Sequence, residues 1–131
     1  MRILICGDRN WTDVDMIRKR LVDYGRDVDT VIEGEARGAD RFARGVAESM
    51  GLKVMPFPAD WTKYHKAAGA IRNQQMLDEG KPDEVWAFHD DLGNSKGTKD
   101  MVDRARKAGL PTWLFGHVKD VGWNFDKRRK P

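Results

Sequence analysis

Short apolar runs alternate with segments of helical periodicity along most of the chain. The runs predict five buried strands, at residues 2–7, 28–34, 52–57, 84–89 and 111–115. Between them, apolar residues recur at spacings of three and four and predict four helices, at residues 14–24, 39–50, 66–79 and 97–108. Strands that alternate with helices form parallel sheets joined by right-handed crossovers. We therefore predict an α/β fold, a Rossmann-like three-layer sandwich whose five-stranded parallel sheet has the order 3-2-1-4-5 and flanking helices.

Composition and charge change this picture only at the carboxyl end. The 131 residues are enough for one domain, and 40% of them are hydrophobic and 34% charged, as in folded globular proteins. Segment 117–131 holds five basic and two acidic residues, which accounts for the whole net charge of +3. We predict one folded domain over residues 1–116 and a basic tail over residues 117–131.

The chain lacks the signals of several other protein classes. No apolar run is long enough for a transmembrane helix, and no signal peptide is evident, so we expect a cytoplasmic protein that does not bind membranes. The single cysteine cannot form an internal disulfide, and no histidine has a helical partner of the metal-binding kind. We expect no bound metal and no cofactor.

The strand order predicts where a ligand binds. In such sheets the ligand lies beyond the carboxyl ends of the strands, where the order reverses, here between the first and fourth strands. The loop after the first strand contains Gly7, which permits close approach of the backbone, and Arg9, which offers several donors to a phosphate. The alternative is an exposed turn with an incidental arginine.

The loop after the second strand, residues 33–40, contains Gly34 and Gly38 and opens a helix. Amides at a helix N-terminus bind anions, which favours a phosphate at this loop. Glu33 repels a phosphate but is suited to accept hydrogen bonds from ribose hydroxyls. Asp40 either lies near the sugar or satisfies amides in the first helical turn.

The loop after the fourth strand places Ser95, Gly97 and Thr98 at the start of a helix. Two hydroxyls, an accessible backbone and the positive end of the helix dipole favour a phosphate here. A serine that only caps the helix is the simpler alternative.

The predicted third helix carries an unusual set of residues on one face. The spacing of Gly69, Arg72, Asn73 and Met76 places them together on that face. A glycine inside a helix costs about 1 kcal/mol relative to alanine, which indicates close approach of a ligand or a partner subunit, unless the face is simply solvated. Trp61, just before this helix, either stacks on a base or covers the edge of the core.

Together these segments resemble the SLOG superfamily, named for the DNA-processing Smf/DprA proteins and the LOG phosphoribohydrolases. The resemblance is greatest to the small stand-alone YspA/YpsA-related branch and spans about residues 2–115. It depends on five short motifs: Gly7-x-Arg9, Gly38-Ala39-Asp40, Pro58-Ala59-Asp60-Trp61, Ala68-Gly69-x-x-Arg72-Asn73-x-x-Met76 and Ser95-x-Gly97-Thr98. The resemblance implies a Rossmann-like nucleotide-binding domain over residues 1–116 and a homodimer or higher homo-oligomer.

The resemblance also implies candidate catalytic residues. LOG enzymes release the base from a nucleoside 5′-monophosphate with an arginine and a glutamate, and their Arg-x-x-x-Met pattern matches Arg72 and Met76. Where the LOG phosphate loop is followed by glutamate, this chain has Lys99 and Asp100. Arg72 and Asp100 are therefore the candidate catalytic pair.

Three functions stay open at this point. The first is a module that senses or sequesters a nucleotide or nucleotide-derived small molecule. Its candidate ligand-binding residues are Gly7, Arg9, Glu33, Gly34, Gly38, Asp40, Arg72, Asn73, Ser95, Gly97 and Thr98. The second is a nucleoside 5′-monophosphate phosphoribohydrolase that releases a free base. The third is binding of single-stranded nucleic acid through the basic tail, which the charge-neutral body disfavours.

Overall fold

The computed structural model describes residues 1–25 and 27–117 and the main chain of residues 123–124. Five parallel strands have the order 3-2-1-4-5, which confirms the predicted fold. They are β1 (Arg2–Gly7), β2 (Thr30–Glu33), β3 (Lys53–Pro56), β4 (Glu84–Phe88) and β5 (Thr112–Phe115). A two-residue strand, β6 (Trp123–Asn124), was not predicted and pairs antiparallel with β5.

The helices are α1 (Val14–Tyr24), α2 (Ala39–Ser49), α3 (Trp61–Tyr64), α4 (Ala68–Gln75) and α5 (Gly97–Lys107). The predicted third helix, at residues 66–79, consists of the end of a 3₁₀ turn (His65–Ala67), α4 and most of a π-helical turn (Met76–Gly80). The short helix α3 precedes it and was not predicted. The two are separated at His65, whose φ of 51° is incompatible with a continuous right-handed helix.

The core lies on both faces of the sheet because successive strand residues point to opposite sides. In β1, Ile3 and Ile5 pack with the buried faces of α1 and α2. Leu4 and Cys6 pack on the other face with α5 and Met76. Helices on both faces complete the three layers that the sequence predicted.

A buried carboxylate organises the amino end of β4. Glu84 is 0% exposed, and its Oε1 accepts hydrogen bonds from the indole nitrogens of Trp86 (3.1 Å) and Trp113 (3.0 Å). The Tyr24 hydroxyl donates to Oε2 at 2.6 Å. Two strands and α1 are thus joined through one side chain, at the end of the sheet opposite the predicted ligand site.

The basic residues of the predicted tail lie outside the described residues, so the division at residue 117 stays a prediction. No helix in the described part of the chain is both long and apolar enough to span a bilayer.

We expect Glu84→Leu to lower the free energy of unfolding by about 2–4 kcal/mol, because two buried indole N–H groups lose their shared acceptor. Glu84→Gln keeps an acceptor oxygen and should cost less. Urea unfolding of the three proteins measures this. Equal stabilities of wild type and Glu84→Leu would show that the network contributes nothing.

Candidate functional site

The loops after β1 and β2 contact each other at the carboxyl edge of the sheet. A Cβ on Gly7 would lie 2.3 Å from the carbonyl oxygen of Phe88, and one on Gly38 would lie 2.3 Å from that of Asp8. Gly38 also has a φ of 81°. The Ala39 amide donates to the Asp8 carbonyl at 3.1 Å. Both glycines therefore permit close contact between backbone segments.

Asp40 holds the loop that precedes its own helix. It is 4% exposed, and its Oδ2 accepts hydrogen bonds from the amides of Gly34 (3.1 Å) and Ala36 (3.4 Å). A carboxylate that bonds two amides fixes the loop conformation beside any ligand.

Arg72 connects this loop to α4 and α5. Its Nη1 donates to the Gly34 carbonyl at 2.5 Å, and its Nε donates to Asn73 Oδ1 at 3.0 Å. Asn73 Nδ2 in turn donates to Asp100 Oδ2 (3.0 Å) and to the Gly97 carbonyl (3.3 Å). Five residues predicted from the sequence, on three different segments, are thus brought together.

The carboxylate of Asp100 is already engaged by two donors. Besides Asn73, Arg104 donates from Nε to Asp100 Oδ2 at 2.8 Å. Arg104 Nη1 also donates to Gln74 Oε1 at 2.9 Å, which ties α5 back to α4. Asp100 therefore acts in this structure as a link between two helices.

The loop before α5 is capped by its serine. Ser95 Oγ accepts a hydrogen bond from the Thr98 amide at 3.1 Å, which is the capping role expected of a helix N-terminal serine. Thr98 is buried, whereas Gly97 is exposed and a Cβ on it would meet nothing within 4 Å. The backbone at Gly97 is therefore open to solvent next to the Asn73 amide.

The acidic residues of the second loop are partly neutralised. Burial, followed by the charges of Asp40 and Glu35, raises the pKa of Glu33 to about 7. Burial also raises the pKa of Asp40 to about 6, against the opposing effect of Arg72. Glu35 forms an ion pair with Arg44. Glu33 is 0% exposed, and its Oε1 has no hydrogen-bond partner among the described residues.

Two basic side chains near these loops are unengaged. Arg9 and Lys96 are exposed, and neither side chain has a hydrogen-bond or ion-pair partner in the described part of the chain. The remaining N–H groups of Arg72 have no partner there either. These donors are available to an anion at the carboxyl edge.

A second cluster, centred on His117, was missed by the sequence analysis. The ring nitrogens of His117 lie 2.9 Å from Asp90 Oδ2 and 2.7 Å from Asp13 Oδ2, and its ring stacks on Trp11 at 4.9 Å. The assignment of residue 117 to a tail concealed this cluster. The available signal was that Asp13, Asp90 and His117 each follow a strand end at the same edge of the sheet.

A groove lies elsewhere, between α4 and α5. Its volume is about 770 Å³. It shares Asp100 with the site around Arg72 but extends past Lys81 and Lys107 to Leu110, toward the opposite edge of the sheet.

We predict that Gly38→Ala lowers the free energy of unfolding by about 2 kcal/mol or more, because the new methyl group collides with main-chain atoms at a positive φ. Gly45→Ala is the matched control, because Gly45 lies in α2 with open space around it. This substitution should raise the free energy of unfolding by about 0.5–1 kcal/mol. Chemical unfolding compares the two, and a tolerated Gly38→Ala would contradict the close contact of the loops.

We predict that the stabilising effect of His117 depends on pH. The hydrogen bonds with Asp90, then with Asp13, raise the pKa of His117, and the bond with His117 lowers the pKa of Asp13. The histidine contribution is thus complete below its ordinary pKa of about 6.5 and is lost as the pH rises through the folded value. The aspartate contribution is lost as the pH falls through its lowered pKa.

Unfolding of wild type and His117→Gln at pH 6 and pH 9 checks this. The difference in stability between the two proteins should be larger at pH 6. If wild type and His117→Gln differ in stability by the same amount at pH 6 and at pH 9, the imidazolium is not held by these carboxylates.

Comparison with known proteins places the chain in a family. Residues 1–64 match the model of the YspA, cpYpsA-related SLOG family. The Gene 61 protein of Mycobacterium phage D29 is 39% identical to this chain. The match covers 88% of this chain and 96% of that protein.

The fold is similar to that in the X-ray structure of DNA processing protein A (DprA) from Streptococcus pneumoniae, with a TM-score of 0.66 and 14% identity. That match covers 91% of this chain and 52% of DprA, so the chain spans about half the length of DprA. The sequence and fold comparisons agree with the resemblance predicted from the short motifs, and the chain belongs to the YspA, cpYpsA-related SLOG family.

Proposed function

We propose that the protein binds a phosphate-bearing nucleotide or nucleotide-derived small molecule at the carboxyl edge of the sheet, with Arg72 as the central anion-binding residue. The observation that carries this proposal is the fixed position of the Arg72 guanidinium between Gly34 and Asn73. Two of its N–H groups hold it in place, and the others are available to a ligand. An arginine that is already positioned loses little conformational freedom on binding.

The local electrostatics support an anionic ligand. The unengaged cations Arg9 and Lys96 belong to loops that flank the switch in strand order. A Glu33 carboxyl with a pKa near 7 is uncharged in a large fraction of molecules at neutral pH, and Arg44 balances Glu35. The repulsion that these carboxylates would exert on a phosphate is therefore reduced.

Binding is favoured over release of a base. Glycosidic cleavage needs a carboxylate that contacts the ribose as positive charge develops. Asp100 is held by Asn73 and Arg104, and Glu33 is fully buried. Both donors bind the same oxygen of Asp100, Oδ2, in a side chain that is 33% exposed, whereas Glu33 has no access to solvent. Because the more accessible of the two carboxylates is already engaged between two helices, sensing or sequestering the ligand is the better-supported activity. Asp40 and Asn73 then act as positioning residues.

We predict that Arg72→Ala weakens binding of nucleoside 5′-monophosphates at least tenfold, because a charge-assisted hydrogen bond contributes about 1.5–3 kcal/mol. Lys107→Ala is the matched control, since it removes one positive charge from the far end of α5. Calorimetric titration measures the affinities, and thermal shift provides the initial screen, in which ligand at 100 times its dissociation constant adds about 2.7 kcal/mol.

Equal affinity of Arg72→Ala and wild type would contradict the assignment of this site. A well-folded wild-type protein that binds no nucleoside monophosphate, dinucleotide or cyclic nucleotide would contradict the function itself.

A further inference from the structure

Trp61 differs from the other described tryptophans in its exposure. It is 59% exposed, whereas Trp11, Trp86 and Trp113 are between 2% and 4% exposed. Of the two alternatives left open by the sequence, an edge cover for the core does not fit a side chain with this exposure. This exposure leaves the indole accessible to a ligand.

The backbone places Trp61 at the same edge of the sheet as Arg72 and its partners. The segment containing Trp61 leaves the carboxyl end of β3, and β3 is the neighbour of β2 in the sheet. The Phe57 amide still donates to the Glu33 carbonyl at 2.8 Å, so the segments that leave β2 and β3 separate just beyond that point. Trp61 therefore follows β3 at the same edge of the sheet at which the loop beginning at Gly34 follows β2.

The contact with α4 gives a closer position. A Cβ built on Gly69 would lie 3.5 Å from Cη2 of the Trp61 ring, so the indole edge lies over Gly69. Arg72 follows Gly69 by three residues and shares its helix face. The exposed ring therefore lies against α4 about one helical turn before Arg72, whose guanidinium anchors the proposed phosphate.

The neighbours of Trp61 in the chain add exposed aromatic surface and positive charge. Tyr64, three residues further along in α3, is 38% exposed. Lys63 lies 5.0 Å from the centre of the Tyr64 ring. An aromatic, uncharged group that is joined to an anion fits this combination of a stacking surface and a nearby cation.

We propose that Trp61 is the stacking platform for the base of the ligand, an inference that rests on the proposed function of Arg72. The ligand class is then a nucleoside 5′-phosphate or a derivative that retains both the base and the phosphate. Stacking on an indole tolerates any base, because every base presents a π-face. Trp61 is therefore expected to discriminate only weakly between different bases.

Paired ligands separate the two halves of the site. The base-free probe is ribose 5-phosphate, and the complete probe is a nucleoside 5′-monophosphate. Trp61→Ala should weaken binding of the complete probe about five- to 150-fold, which corresponds to the ~1–3 kcal/mol of one stacked base. Its affinity for the base-free probe should equal that of wild type. Arg72→Ala should weaken binding of both probes. Trp61→Phe should restore most of the affinity. Ile71→Ala is the control, since it truncates another exposed apolar side chain, on a different face of α4 from Gly69.

Intrinsic fluorescence gives a second readout. Quenching by the nucleoside monophosphate should be much smaller in Trp61→Ala than in wild type, because Trp11, Trp86 and Trp113 are buried. Unfolding curves will verify that Trp61→Ala is folded, which we expect because its side chain is largely exposed.

The outcomes distinguish the two proposals. If Trp61→Ala binds the nucleoside monophosphate as tightly as wild type while Arg72→Ala does not, the stacking role is wrong and the proposed function stands. If wild type binds neither probe, the proposed function is wrong. If Trp61→Ala reduces the molecular mass in solution without changing affinity, Trp61 forms a contact between copies of the chain and the stacking role is overturned.

Discussion

The hydrogen bond from Arg72 to the Gly34 carbonyl is the contact on which the site depends. It ties α4 to the loop after β2, and Asn73 extends the connection to Gly97 and Asp100 on α5. The strands bring the loops to one edge of the sheet, but this chain of hydrogen bonds fixes their relative positions. A guanidinium held in this way is positioned before any ligand arrives, which reduces the entropic cost of binding.

The groups that stabilise the core and the groups of the proposed binding site lie at opposite ends of the strands. At the amino end of β4, Glu84 satisfies two buried indoles and a tyrosine within the core. At the carboxyl end, Glu33 is buried with an unpartnered oxygen among the described residues, and Arg9 is exposed without a partner. Unsatisfied and strained groups are expected where a protein binds a ligand, because the rest of the fold compensates for their cost. The division agrees with the general rule for open α/β sheets.

The strands and most helices could be predicted because each depends on local periodicity, and the strand order followed from the rules for alternating strands and helices. Several details could not, because they depend on contacts between distant segments or on single backbone angles. The short helix α3 ends at a positive φ on His65, which the apolar periodicity does not indicate. The cluster of His117 with Asp13 joins residues 104 positions apart. Asp40 was predicted at the start of the second helix, but its hydrogen bonds to the amides of residues 34 and 36, in the preceding loop, emerge only in the fold.

Heteronuclear NMR of labelled protein tests whether an anionic nucleotide binds around Arg72. During titration with a nucleoside 5′-monophosphate, we expect the Arg72 side-chain Nε–H and the amides of Gly34 and Gly97 to shift together and to saturate at one dissociation constant. Amides near Lys81 and Lys107, in the groove at the opposite end of α5, should stay unchanged. If the shifts are concentrated in that groove and the Arg72 resonance does not move, the proposed site is wrong.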